Sequence, residues 1–212
     1  MDQSIDEQMT FTQAQGMNKI AIAILAAGQG TRMRGVKQLA LFEGETLLSR
    51  ALKTATNSRV GDVFIVLGHN GNELARHVGS TVTILRNKAP EEGIASSVRT
   101  ATDAISNLDH DALMFMTIDQ PFVDAELLRT LSSVFSSTRK SVVASKYGTP
   151  GIPALFAREK FPDLLSLKGD KGAKQLIVAS DAHLVDAPLA KYDIDTEQDL
   201  ESLASKNRRG LA

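Results

Sequence analysis

The stretch Lys19–Lys37, KIAIAILAAGQGTRMRGVK, constrains the fold more than any other part of the chain. Ile20 to Leu25 is an unbroken apolar run of strand length, and a strand without polar alternation must be buried on both faces. That demands a layer above and a layer below. The run then stops at Ala26-Ala27-Gly28 and releases a loop that carries Gly28, Gly30, Arg32, Arg34 and Lys37. Fold class and function both turn on how such a strand end is used.

The rest of the chain alternates strand-like and helix-like segments. A helix-period stretch over about 46–56 precedes a buried-type run, Val63–Leu67, and a short helical segment over 71–78. Val82–Leu85 is a third strand, and a polar loop over 87–93 leads to a helix whose start signal is Ser96 or Ser97. Leu113–Ile118 is a fourth strand, ending at Asp119-Gln120-Pro121. Asp124 is placed to cap a helix to about Phe135. A fifth strand, 141–145, is followed by a turn-rich crossing over 147–153 into Ala154-Leu155-Phe156. Helical patterns follow over 158–166 and 171–180, with short edge strands at Leu184-Val185 and Tyr192–Asp195. Thr196 and Asp199 form the start signal of a last helix, to about Ser205.

This alternation predicts an α/β fold, a three-layer αβα sandwich around a mostly parallel sheet, with ligands beyond the carboxyl ends of the strands. One domain is expected over 19–205, its nucleotide-binding part over 19–140 and its acceptor-binding part over 141–205. Residues 1–18 read as a disordered tail and 206–212 as a frayed one.

Two phosphate motifs fail on the first loop. A dinucleotide fingerprint requires glycine where Met33 stands, and a Walker A loop requires Lys where Val36 stands. What remains is a strand end whose glycines let backbone N–H groups approach an anion, with Arg32, Arg34 and Lys37 in reach. A triphosphate meets that composition, because transfer of its α-phosphorus needs cations on the attacked and the leaving phosphates; the alternative is a Gly-rich strand-to-helix connection with solvated basic residues.

Asp119 ends a strand, with Pro121 helping to stop it, and its carboxylate points to the same crevice. Asp193 and Asp195 share one face of an extended segment. Asp119 and one carboxylate of that pair together suit Mg²⁺, which takes one or two protein carboxylates and completes its shell with phosphate oxygens and water. Taken singly, Asp119 reads rather as a turn residue and Asp195 as the cap of the last helix.

Composition narrows the classes. A net charge of -1 and a sequence pI of about 6.4 give no field for nucleic acid or an anionic membrane. The longest apolar stretch is far short of the ~20 residues a membrane helix needs. Without cysteine, thiolate chemistry is closed. The first 18 residues carry three acids and no Lys or Arg, unlike a signal or transit peptide, and a cytoplasmic protein is expected. His69, His77, His110 and His183 are scattered and read as surface or structural residues. Tyr147 and Tyr192 lie near turns, where contact with a ring ligand and simple packing are both open.

Several motifs together resemble the MobA-like family of nucleotidyltransferases, and within it the molybdenum cofactor cytidylyltransferase branch. They are LAAGQGTRM from Leu25 to Met33 with Lys37, EGIASSVR from Glu92 to Arg99, DQP from Asp119 to Pro121, GIPALF from Gly151 to Phe156, KGDKGA from Lys168 to Ala173, and DIDT with Asp199-Leu200. The resemblance implies a Rossmann-like nucleotidyltransferase fold and transfer of CMP from CTP to the phosphate of molybdopterin, with release of pyrophosphate. It places Ala26, Ala27, Gly28 and Gly30 along the nucleotide, Arg32 and Lys37 on the triphosphate, and Gly93 and Ser97 on the opposite wall. It makes Asp119 and Asp195 the Mg²⁺ ligands and sets Gly169, Asp170 and Gly172 near the pterin. Ala27 stands where the guanylyl branch has glycine, which favours CTP. A xanthine-dehydrogenase-type molybdenum enzyme is implied as docking partner.

The chain departs from the family once: Arg34 stands where glycine usually follows R-M. Two further readings compete, a nucleotidyltransferase that uses GTP or acts on a sugar or polyol phosphate, and a non-catalytic protein that holds the cofactor for a molybdenum enzyme.

Overall fold

The computed structural model describes residues 18–28, 30, 32, 33 and 35–208. Arg34, the departure from the family pattern, lies outside the described residues, as do most of the two predicted tails. Strand β1 (Ile20–Ala26) is buried along its whole length. It sits between β4 (Gly61–Leu67) and β6 (Ala112–Thr117), parallel to both. Its side chains alternate between two cores. Ile20, Ile22, Ile24 and Ala26 join one apolar cluster, and Ala21, Ala23 and Leu25 the other, as the two-residue period of a strand requires.

Two helices cover the first face: α1 (Leu47–Ser58) with Leu48, Ala51, Leu52 and Ala55, and α4 (Ala125–Thr138) with Leu128, Leu131 and Phe135. The second face is covered by α3 (Ile94–Ser106) through Ala95, Val98, Ala101 and Ile105 and by α5 (Phe161–Leu165) through Phe161 and Leu164. Fully burying one such Leu, Ile or Phe side chain contributes roughly 1.5–3 kcal/mol, so the two apolar layers are the main source of stability. The predicted three-layer α/β sandwich is the fold observed.

The seven-stranded sheet has the order β5-β4-β1-β6-β8-β7-β9, with β5 at Thr83–Arg86, β7 at Val142–Tyr147, β8 at Thr149–Ala157 and β9 at His183–Asp186. Only β8 runs against its neighbours in this sheet. From β1 the chain first builds outward to β4 and β5, then returns to lay β6 on the other side. The strand order therefore reverses between β1 and β6. In open α/β sheets that reversal leaves a crevice beyond the carboxyl ends of the two strands.

Several local expectations are corrected. The helix assigned to Ser96 or Ser97 begins at Ile94, after Gly93 in a left-handed conformation of φ 107°. Both serines are buried within it, their hydroxyls accepting from Asn87 Nδ2 at 2.8 and 3.0 Å. A polar side chain satisfied by a distant loop is indistinguishable in sequence from a cap. The segment 147–153 is no crossing: Gly148, with φ 93°, turns β7 directly into β8, whose first residues are the predicted turn. Tyr192–Asp195 is not a strand. A 3₁₀ turn over Pro188–Lys191 delivers it as extended chain tied to the end of β6, Ile194 N–H donating to Asp119 C=O at 2.9 Å. The last described helix runs over Glu197–Arg208, past the expected end at Ser205. The small hairpin of β2 (Leu41–Phe42) and β3 (Glu45–Thr46) had no counterpart in the sequence reading.

Asp124 caps α4 as expected, its Oδ1 accepting from Leu127 N–H at 2.8 Å. Thr196 and Asp199 form the reciprocal cap, Asp199 Oδ2 taking Thr196 N–H at 2.8 Å and Thr196 Oγ1 taking Asp199 N–H at 3.2 Å.

Candidate active site

A cavity of about 250 Å³ opens where β1 and β6 end, lined among others by Ala26, Gly28, Gly30, Lys37, Ile94 and Asp119. The end of β1 keeps it open: a Cβ on Gly28 would meet nothing within 4 Å, so protein packing does not demand the glycine there. Gly30 is constrained instead, with φ 59° and a would-be Cβ only 2.5 Å from that of Lys37. Ala27 is buried, and its carbonyl lies 2.5 Å from where Gly68 would carry a side chain.

Beyond the loop a single 3₁₀ turn, Lys37–Leu39, turns Lys37 and Gln38 inward. The Lys37 ammonium donates to Asp119 Oδ2 at 2.9 Å and to Asp195 Oδ1 at 2.7 Å. Burial pulls its pKa down, but the charge of Asp119 and the hydrogen bonds to Asp195 and Asp119 more than offset that and hold it above the ordinary lysine value. Three distant segments thus converge on one nitrogen. Arg32 is far more exposed and reaches Asp195 only at 3.9 Å, a separation at which a solvated pair adds little.

Asp193 stands beside this cluster. Burial, and then the charges of Asp119 and Asp195, push its carboxyl up to about 6. Its own surface remains open to water, which screens those charges, so it is the upward direction that the converging carboxylates dictate. The site holds more negative charge than Lys37 neutralises.

Two glutamines to which the sequence reading gave no role shape the site. Gln38, 2% exposed, donates from Nε2 to Ala26 C=O at 2.7 Å and Gly28 C=O at 2.9 Å, bracing the strand end. Gln120 is also buried and donates to Ile152 C=O and Ala190 C=O at 3.1 and 2.7 Å. It thereby holds the segment carrying Asp195 against the end of β6. Gln120 carried a signal only as the middle of the DQP motif, and Gln38 only as the neighbour of Lys37.

Of the remaining predicted residues, Ser97 is turned to Asn87, and Ile94, one turn earlier, lines the cavity. Gly93 meets the loop of Gly169 and Asp170: a Cβ on it would lie 2.2 Å from Asp170 Oδ1. Asp170 and Gly172 border a second, shallower depression of about 500 Å³, so these three residues sit next to the first cavity rather than in it. Tyr147 donates to Ile152 C=O at 3.2 Å, and Tyr192 packs edge-on against Phe122. His110 is buried against Asp62, as a structural residue.

Among the described residues no group of three or more His, Cys, Asp or Glu side chains forms a ready metal cage. Asp119 and Asp195 do fit a Mg²⁺ ion. They offer hard oxygens, in the number that ion takes when phosphates and water fill its other positions, and they already share one cation. No described helix is long and apolar enough to cross a membrane.

Comparison with known proteins agrees with this architecture. Residues 22–185 match the family model described as the MobA-like NTP transferase domain. The molybdenum cofactor cytidylyltransferase of Escherichia coli K12 is 27% identical over 86% of this chain and 94% of its own length. The purine catabolism protein PucB of Bacillus subtilis is 29% identical over 72% of this chain and 78% of its own. Bifunctional GlmU proteins also match, but the chain spans only about a quarter of their length, 27% for that of Prochlorococcus marinus at 29% identity over 58% of this chain. Among solved structures, Rv0371c of Mycobacterium tuberculosis H37Rv superposes with a TM-score of 0.78 at 23% identity, covering 89% of this chain and 99% of its own. A nucleotidyl transferase of Methanothermobacter gives 0.77 at 22%, covering 91% and 99%. With the family model spanning the sheet from β1 to β9 and both ends of the crevice, the chain belongs to the MobA-like NTP transferase family and is a nucleotidyltransferase of that family.

Proposed function

We propose that the protein transfers CMP from CTP to the terminal phosphate of molybdopterin or its molybdenum-loaded form. The observation that carries this reading is the convergence of Lys37, Asp119 and Asp195 at the reversal of strand order, beneath the glycine end of β1. The length-wide similarity to the Escherichia coli cytidylyltransferase supports the choice of substrates.

In this reading an oxygen of the acceptor phosphate attacks the α-phosphorus of CTP in line. A new P–O bond forms, the bond between the α-phosphorus and the bridging oxygen breaks, and pyrophosphate leaves with the electron pair. A phosphate monoester has its second pKa near ~6, so the nucleophile is already anionic and needs no protein base. Ala26 and Ala27 face the cytosine and ribose, and Gly28 and Gly30 admit the phosphates to the backbone. Arg32 and Lys37 stabilise the charge that develops on the triphosphate. With the Lys37 ammonium drawn from between them onto the phosphates, Asp119 and Asp195 would hold Mg²⁺, which would supply charge neutralisation on the leaving group. Ile94 forms the far wall, with Gly93 beside it and Ser97 behind it in the same helix, and Gly169, Asp170 and Gly172 belong to the acceptor side. Delivery to a xanthine-dehydrogenase-type molybdenum enzyme accords with the purine catabolism role in the name of the Bacillus relative.

The test is incubation with labelled CTP, GTP or ATP, Mg²⁺ and molybdopterin, reading pyrophosphate release and the dinucleotide product. Release with CTP and the pterin is expected. Release only with GTP, or only with a sugar phosphate as acceptor, would overturn the assignment, and CTP binding without release would favour a carrier.

A further inference from the structure

Residues 92–99 and 167–172 are joined by a network outside the cavity. The Arg99 guanidinium grips Glu92 with both arms, Nη1 to Oε1 at 2.8 Å and Nη2 to Oε2 at 2.5 Å, and Nη1 also donates to Leu167 C=O at 2.7 Å. Glu92 Oε1 in turn accepts from Gly169 N–H at 3.4 Å. Ala95 N–H, in the first turn of α3, donates to Gly169 C=O at 3.1 Å. Glycines close the gap. Gly93 leaves no room for a side chain against Gly169 and Asp170, and Gly172 sits where a Cβ would lie 3.2 Å from Ile94 Cγ2. Ile94 also lines the cavity that holds Lys37 and Asp119.

From this geometry we infer that Glu92 and Arg99 form a latch that sets the position of the loop 167–172 against the nucleotide cavity, and that both are positioning residues for the acceptor. The inference rests on the reading above in which that loop serves the acceptor. The ion pair lies at the surface, with Glu92 exposed and Arg99 half-buried, so its hold comes from the geometry, in which Arg99 ties two chain segments at once. A lysine could not reproduce the fork, since its single ammonium reaches one acceptor direction at a time. The latched loop carries Lys168 and Lys171 at its surface, with Lys174 just beyond. That charge suits an acceptor that brings its own phosphate. Because the loop touches the nucleotide wall through Gly93 and Ile94, a shift of the loop changes where the acceptor phosphate stands relative to the α-phosphorus. A displacement of ~1 Å at such a place is enough to cost about a hundredfold in rate.

The experiment compares the wild type with Arg99→Met, Arg99→Lys and Glu92→Gln, using whichever donor and acceptor the wild type turns over, each varied separately. The acceptor KM is expected to rise about tenfold in Arg99→Met while the donor KM stays within about twofold, with Arg99→Lys between them. In parallel, trypsin cleavage after Lys168 and Lys171 is followed by mass spectrometry in the substrate-free wild type, Arg99→Met and Glu92→Gln, and is expected to accelerate in both variants. Equal changes in the two KM values, or unchanged cleavage, would overturn the latch. Faster cleavage with an unmoved acceptor KM would overturn its role toward the acceptor. If the wild type uses GTP, the CTP assignment fails while the same comparison decides the latch. Glu92→Gln keeps a hydrogen-bonding side chain and guards against a variant that merely fails to fold.

Discussion

Lys37 Nζ lies 2.7 Å from Asp195 Oδ1 and at the same time 2.9 Å from Asp119 Oδ2, so the lysine stands where a metal held by both carboxylates would stand. Mg²⁺ binds oxygen at about 2.0–2.1 Å, and two cations cannot share that space. Lys37→Met removes the internal cation and keeps the bulk of the side chain. Mn²⁺ titrated without nucleotide, followed by the spectrum of the free ion, is expected to bind about tenfold tighter or more in the variant, ~1.4 kcal/mol, while nucleotidyl transfer falls. Equal affinities would mean that ammonium and metal occupy different places.

Asp119 is the other half of that relationship. Asp119→Asn keeps the shape of the side chain, and the tie from Ile194 N–H to the backbone of residue 119 does not depend on the carboxylate. The fold should therefore persist while kcat falls by about a hundredfold or more, on the scale seen when a charge-stabilising group is removed from a reacting centre. Steady-state kinetics beside a thermal melt separates the two effects. Unchanged turnover would remove Asp119 from the metal-ligand role.

The sheet and the end of β1 were legible because their signals are local: Ile20 to Leu25 can only be a strand buried on both faces, and Gly28 with Gly30 can only be a loop. Asp119 was legible for the same reason, as the polar stop of an apolar run. What could not be read was partnership. The sequence separately offered Lys37 as a phosphate ligand and Asp119 with Asp195 as metal ligands, but nothing local says that the three share one ion pair. Ser96 and Ser97 looked like caps because their true partner, Asn87, belongs to another segment. The roles of Gln38 and Gln120 were invisible since a glutamine that clamps backbone carbonyls has no periodicity or spacing of its own.

The turn that presents Asp195 is held by Asp199, whose Oδ2 accepts from Asp195 N–H at 3.0 Å, Thr196 N–H at 2.8 Å and Thr196 Oγ1 at 2.8 Å. The hydrogen bond from Thr196, followed by the two backbone N–H groups, holds the Asp199 carboxyl below its ordinary range. A carboxyl depressed in the folded state lends stability that is present above its unfolded pKa and lost as pH falls through the folded value. Asp199→Ala is expected to cost about 1 kcal/mol near neutral pH, the usual scale of a lost cap. Its urea midpoint should approach that of the wild type in acid, below the ordinary carboxylate range. A constant gap at all pH values would show that the loss came from packing instead.

Gln120 gives the sharpest test of how the second half of the chain is brought to the site. Its amide is the donor for Ile152 C=O and Ala190 C=O, in a position only 6% exposed. Gln120→Leu is close in size and removes both donors; Ile152 C=O keeps the Tyr147 hydroxyl, while Ala190 C=O loses the donor that Gln120 gives it. An unsatisfied buried group costs about 1–3 kcal/mol, so a loss of about that size in urea unfolding is expected. The functional consequence should be selective. Residues 188–195 are tied to β6 by this amide and by Ile194 N–H to Asp119 C=O, so the variant should lose divalent-ion affinity through a displaced Asp195 while the end of β1, braced by Gln38, keeps its conformation. Binding of Mn²⁺ weakened in Gln120→Leu, with hydrogen exchange at Ala26 and Ala27 unchanged, is the expected pair of results. Unchanged Mn²⁺ affinity would mean that Ile194 alone positions the carboxylate.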